Sequence, residues 1–272
     1  MGTTQRIVPG VPGQPNWGWG DLNKAITYVA KTVEAENSDD VEKTPEKEAA
    51  DIKKIMDSRN HYVKSVFKNL IKTGGGSKSI SSGKSKSIGR AGKKSVGKLV
   101  SFVSGIASKG LQEALREIGF GNLEDKSVQD IIDFLLIYCS ESNTGMDETA
   151  AAKASCEVLN QIAEETGNDL EKFEIGLKEY IDSNKMSDII CNFWGLYIFE
   201  HLSQRFQEKL TQQKGIFVSK ETFKIIKEDI IGQVKVLNER REISKIDWHS
   251  NDGSKEIEKI FESIIKILGD EN

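Results

Sequence analysis

The chain has four prolines, three cysteines and three histidines, and from Ser58 to Gln112 it has no Asp or Glu at all. Each scarcity excludes something. Three of the prolines, Pro9, Pro12 and Pro15, fall in the first fifteen residues, so almost all the remaining chain lacks the residue that breaks helices. Cys139, Cys156 and Cys191 are odd in number, far apart and set in apolar helical patterns. That excludes a disulfide framework and reads as reduced core thiols in a cytoplasmic protein. His61, His201 and His249 stand apart from one another and from the cysteines, which leaves no zinc spacing. His201, between Glu200 and Leu202 on the most apolar helix, reads as a hydrogen-bonded core histidine. Met1–Gly20 lacks the basic and apolar regions of a secretory signal, and the nearly uncharged run Met186–Phe199 is too short to span a bilayer. No nucleophile elbow, pair of catalytic carboxylates or Gly-rich dinucleotide loop is visible. Gly83-Lys84-Ser85 has Lys78 where a phosphate-binding loop needs glycine. The expectation is a cytoplasmic protein with no enzyme activity, metal or other cofactor.

What is present is an uneven distribution of charge. The 272 residues sum to a formal charge of −4. Residues 58–112 carry twelve Lys or Arg and no acid, whereas 113–272 have a net charge of −13. Within the basic middle, Thr73–Lys98 is almost wholly Gly, Ser and Lys, a composition that builds no core and suits a contact segment.

The periodicity of the rest predicts an all-α protein. Residues 1–20 read as a flexible Gly/Pro-rich tail in which helix is excluded. Residues 21–72 read as two helices joined by an acidic linker, the first capped by Asp21 and the second stopped by Gly74-Gly75-Gly76. The basic Gly/Ser/Lys segment occupies 73–98, and 99–272 forms a helical bundle. Small residues at Gly97, Ser101, Gly105 and Ser108 would let another helix approach closely. Ser127 and Asp130 form an N-terminal cap ahead of Ile131. Further helices run from Asp147 to Thr166, closed by Gly167, and from Ser187 to Lys214, closed by Gly215. Two more open at Ser219 and Ser254. The 187–214 helix is apolar around much of its circumference and so belongs at the bundle centre, packed by 127–140, 147–166 and 219–241. Early proteolysis is expected in 1–45 and 73–90.

Two features carry functional expectations. The basic segment, with Lys72, Lys78, Lys84, Lys86, Arg90, Lys93, Lys94 and Lys98, would neutralise phosphates, dock on an acidic protein or this chain's own C-terminal half, or serve as a linker. Aromatics are nearly absent from it, which argues against a single-strand stacking platform. If about six of the cations paired with phosphates, log affinity would fall with log salt at a slope near −5. The second feature is the start. Removal of Met1 leaves Gly2 with an unhindered α-amine whose ordinary pKa is about 8. Arg6 stands where a myristoylation site wants Ser or Thr. Trp17 and Trp19 end the tail and suit docking it on a groove, of this protein or of another.

Three blocks taken in order carry a resemblance. They are Met1-Gly2-Thr3 with the Trp-containing tail, Gly74-Gly75-Gly76 through Gly89-Arg90-Ala91-Gly92 to Leu115, and Gly145-Met146-Asp147-Glu148-Thr149-Ala150 leading into an Ala-rich helix. Together, to about Lys214, they resemble the QatB family of the bacterial Qat antiphage defence system. The resemblance implies a non-enzymatic subunit encoded with an ATPase (QatA), a QueC-like enzyme (QatC) and a TatD-like nuclease (QatD). QueC-like enzymes adenylate a deazaguanine carboxylate and pass it to an amine, in some defence-associated relatives a protein N-terminus. On that implication Gly2 is the acceptor, and Thr3, Thr4, Trp17 and Trp19 belong to the arm that presents it. The other reading is a nucleic-acid-binding adaptor that uses the basic segment.

Overall fold

The helix at the centre of the molecule is the one whose apolar residues run all round it. α9 (Met186–Lys214) buries Ile189, Ile190, Phe193, Trp194, Tyr197, Ile198, Leu202, Phe206 and Leu210, residues that no single stripe could hold. The computed structural model describes residues 17–37, 45–140, 145–167, 169–182, 185–239, 248 and 250–269; among the described residues there are eleven helices and no strand, and no helix is long and apolar enough to cross a membrane.

α1 (Trp17–Glu36) and α2 (Pro45–Gly74) form an antiparallel pair. Its register is set by a Tyr28–Tyr62 ring stack at 5.0 Å and by Arg59, which reaches Thr32 Oγ1 at 3.2 Å and pairs with Glu36. The first three turns of α2 extend past the end of α1 and are exposed. Next come α3 (Ser77–Ser81), α4 (Arg90–Lys109), α5 (Leu111–Glu117), α6 (Val128–Cys139), α7 (Met146–Thr166) and α8 (Leu170–Asp182). α10 (Ile216–Glu239) and α11 (Asn251–Gly269) complete the set. α9 is surrounded chiefly by α10, α7, α11 and α4. α6, expected against the central helix, packs mainly on α4 and α7. The cover supplied by α11 is intimate: Phe261 lies parallel to Trp194 with ring centroids 3.6 Å apart.

Several boundaries follow local chemistry as expected. Ser127 and Asp130 form a complete capping box on α6. Gly167 takes the left-handed conformation that closes α7, with its N–H on the Ala163 and Glu164 carbonyls. Others differ. α1 starts at Trp17, inside the stretch read as excluding helix and four residues before the cap assigned to Asp21. α10 and α11 start three residues before Ser219 and Ser254. Ser219 is buried and works as a staple, taking a hydrogen bond from Thr211 Oγ1 (2.9 Å) and giving one to the Gln207 carbonyl (3.2 Å).

The main correction concerns the Gly/Ser/Lys segment, which does contribute to the core. Ile80, Ile88, Ala91 and Val96 are all buried. The chain doubles back at α3 because glycines allow it. Gly76, at φ 95°, donates to the Ile71 carbonyl at 2.9 Å, and the N–H groups of Lys84 and Ser85 share the Ser79 carbonyl at 3.0 and 2.9 Å. The close approach anticipated at Gly97, Ser101, Gly105 and Ser108 lies elsewhere. A Cβ on Gly97 would meet nothing within 4 Å, whereas one on Gly92 would sit 2.7 Å from the Trp194 ring.

Candidate functional site

α4 begins without a side-chain cap of its own, because its N-cap is Gly89, at φ 107°. The open N–H groups are answered from far away in sequence. Asp147, in the first turn of α7, accepts from Ala91 N–H at 2.8 Å and from Gly89 N–H at 3.3 Å. A carboxylate there also meets the positive end of the α4 dipole. Tyr197 of α9 donates its hydroxyl to Asp147 and accepts from Gly89 N–H. Burial, and then the neighbouring carboxylate, push the Tyr197 phenol well above its ordinary pKa, so it stays a donor.

One turn further along α9, His201 is fully buried and its Nε2 lies 2.7 Å from the Ser87 carbonyl. A carbonyl only accepts, so Nε2 carries the proton. Burial pushes the imidazole down to about 4, so it is neutral near pH 7, and Nδ1 has no partner. Next along the helix, the Arg205 guanidinium lies 3.4 Å from the centroid of the Trp19 indole, and Nη2 approaches Met146 Sδ at 3.4 Å. Trp19 stacks on His201 at 6.4 Å and leans on Phe206. Its tryptophan face is therefore held by a cation and by two rings of α9. Beside it, a Cβ on Gly18 would fall 1.9 Å from Thr73 Oγ1, so α1 meets the end of α2 only because residue 18 has no side chain.

The arrangement collects the segments singled out by sequence. Gly89 and Gly92 need to be glycine: a Cβ at 89 would lie 2.2 Å from the Ile80 carbonyl oxygen, and one at 92 would strike Trp194 and Tyr197. Ala91 is buried. Arg90 alone of that block points outward, with no partner among the described residues. Asp147 from the third block caps the second, and Trp19 from the first rests on the helix that supplies Tyr197 and His201. Sequence reasoning singled out neither Tyr197 nor Arg205 for this site. Their i, i+4, i+8 spacing with His201 on α9 puts all three on one face and was the available signal.

Of the remaining candidates, Gly2, Thr3 and Thr4 lie outside the described residues. Trp17 opens α1, and its side chain is likewise outside them. Lys72, Lys78, Lys84, Lys86, Arg90 and Lys94 are exposed. Lys93 and Lys98 are committed internally. Lys93 pairs with Glu258 at 2.6 Å, and Lys98 donates to the Tyr138 carbonyl at 2.7 Å. Cys139 and Cys191 are buried thiols, the second donating to Asn238 Oδ1 at 3.5 Å, and burial pushes the Cys139 thiol up to about 12. Among the described residues no group of three or more His, Cys, Asp or Glu is placed to hold a metal ion.

Fold and site together define an all-helical bundle whose buried polar centre holds the first turn of α1 through Trp19. Residues 75–268 match the family described as Qat anti-phage system associated protein QatB, and the chain belongs to that family. It is thus a component of a multi-part anti-phage defence system and works with protein partners. The match takes in α3 to α11, hence nearly all of the second block and the third, and leaves residues 1–74, with α1 and α2, outside it. No curated protein and no solved structure matches the chain.

Proposed function

We propose that this chain is a non-enzymatic partner of the QueC-like enzyme QatC and that its own N-terminus is the substrate. The observation that supports the reading is the fixed root of the arm. Trp19 is held by Arg205, His201 and Phe206, and Gly18 abuts Thr73, so α1 begins at one defined point on the body. Fifteen residues separate Gly2 from Trp17, a span of at most about 50 Å when extended. That length lets Gly2 enter an enzyme cleft while the bundle stays outside.

The chemistry suits the residue. The enzyme activates a deazaguanine carboxylate as an acyl adenylate. The neutral amine of Gly2, unhindered by any side chain, attacks the acyl carbon. A C–N amide bond forms, the C–O bond to the phosphate breaks, AMP leaves, and the amine's extra proton goes to solvent or a base of the enzyme. The ATPase QatA and the TatD-like nuclease QatD are further partners on this reading.

Intact-mass measurement of the protein co-expressed with its operon tests it. A mass increase confined to the N-terminal peptide is expected. A Met-cleaved, unmodified N-terminus while defence is active overturns the conjugation. Gly2→Pro should fold normally and abolish both the mass increase and protection, because the secondary amine reacts poorly.

A further inference from the structure

The first turn of α1 packs beside a run of exposed cations. Lys72 is in the last turn of α2, directly before the Thr73 that Gly18 packs against. Lys78 lies on α3, Lys84 and Lys86 on the connection to α4, and Arg90 is the first residue of α4. Ser87, one residue after Lys86, gives its carbonyl to His201, the ring on which Trp19 stacks. All five cations are exposed, and none pairs with an acidic side chain among the described residues.

These cations are held on an ordered backbone. Gly83 N–H bonds the Ile80 carbonyl at 3.0 Å, Lys93 reaches back to the Ser82 carbonyl at 3.4 Å, and Ile80 and Ile88 are buried on either side of the turn. A partner that binds here orders five side chains and no main chain, which keeps the entropic cost of association low. Lys93, Lys94 and Lys98 already have interactions of their own, so the five are what the fold leaves for an outside anion.

We infer that this corner, Lys72, Lys78, Lys84, Lys86 and Arg90, is the docking surface for an acidic face on the enzyme that processes the arm. The inference rests on the reading above. A protein face fits better than a nucleic acid for two reasons. Among the described residues the corner has no exposed aromatic ring to stack a base, since Phe67 and Phe102 are both buried. The rest of the chain is acidic, with −13 over residues 113–272, and would repel a long polyanion running beyond the corner. A compact acidic face meets only the local positive field, which would also steer the enzyme toward the arm's root.

The test uses the full chain, a variant with all five cations changed to Gln, and a synthetic peptide of residues 2–20. Each is titrated with the purified QueC-like enzyme across about 50–200 mM salt. Circular dichroism confirms that the variant folds. Wild-type binding should weaken with salt, and the Gln variant should bind on the order of tenfold to a hundredfold more weakly at low salt. The enzyme should modify the isolated peptide more slowly than the full chain by a similar factor. Enzyme binding by the variant equal to wild type overturns the docking surface and leaves the arm reading intact. If the enzyme neither binds nor modifies any of the three, the arm reading itself fails and the docking surface falls with it. A parallel titration with duplex and single-stranded DNA separates the sources of negative charge. If DNA binding is lost in the variant while enzyme binding is unchanged, the corner belongs to nucleic acid and the inference is overturned.

Discussion

Gly92→Ala adds one methyl group to α4 and places it 2.7 Å from Trp194 Cζ3 and 2.8 Å from Tyr197 Cζ. Carbon atoms prefer about 3.5–4.0 Å, so one ring or the helix must yield by roughly 1 Å. Neither ring can move cheaply. Trp194 is backed by Phe261 in a parallel stack at 3.6 Å, and the Tyr197 hydroxyl is tied to Asp147 and Gly89. Overpacking of this kind costs about 1–3 kcal/mol. Alanine regains about 1 kcal/mol over glycine in a helix interior. With both rings pinned, the upper part of the overpacking range applies and the net loss is about 1–2 kcal/mol. The control sits on the same helix: a Cβ on Gly97 meets nothing within 4 Å, so Gly97→Ala keeps the propensity gain alone, about 0.5–1 kcal/mol. Urea titrations of the two variants should therefore move in opposite directions. In thermal melts Gly92→Ala should drop by several degrees and Gly97→Ala should rise by about 2 °C, at roughly 2–4 °C per kcal/mol for large chains. If Gly92→Ala equals or exceeds the wild type, the packing of α4 on α9 is not as described.

Other expectations follow from the same centre. Trp194→Ala removes the ring stacked on Phe261 and should cost about 3–5 kcal/mol by urea titration, while Trp194→Phe, which also deletes an indole N–H that has no partner, should cost clearly less. His201 titrates near 4 when folded against 6.5 as its ordinary value, so the unfolded chain takes up the proton first. Stability should fall as pH drops from 6.5 toward 4, by about 3 kcal/mol in all, and His201→Gln should remove most of that slope when melts are compared from pH 7 to 5. Trp19→Ala should leave the bundle folded but speed amide exchange through the first turns of α1, with little change in α7 or α10. Limited trypsin digestion should cut Lys47, Lys53 or Lys54 in the overhanging start of α2 before Lys84 or Lys86, whose backbone is held by hydrogen bonds to Ser79 and Ile80. Cleavage at Lys84 first would return that segment to the status of a linker.

The difference between what was legible and what was not is one of range. Helix caps act over three or four residues, so Ser127 with Asp130, Gly167 and Gly215 marked boundaries that the structure keeps. The all-round apolar character of α9 also identified the central helix. The start of α1 was misread because prolines that end at Pro15 were taken to bar helix as far as Gly20, whereas packing of Trp19 on Arg205 and His201 and of Gly18 on Thr73 supports a turn there. The Gly/Ser/Lys segment was misread as coreless because composition gave its cations more weight than Ile80 and Ile88, two buried apolar residues eight positions apart. The polar centre was beyond any local pattern. Asp147 caps a helix that starts 57 residues earlier, and Tyr197 bonds a glycine 108 residues away.

The dependence of α9 on α11 has a consequence during synthesis. Forty-seven residues separate Lys214, the end of the central helix, from Phe261, the ring that covers Trp194. At about 5–20 residues per second, a ribosome takes roughly 2–9 s to travel that distance. Throughout that interval the central helix, apolar all round, has emerged, or is emerging, without its final cover. A chain interrupted there presents Trp194 and its neighbours to whatever is nearby, and so is a substrate for chaperones or for aggregation. The supply of competent protein is thus tied to uninterrupted translation of its final fifth.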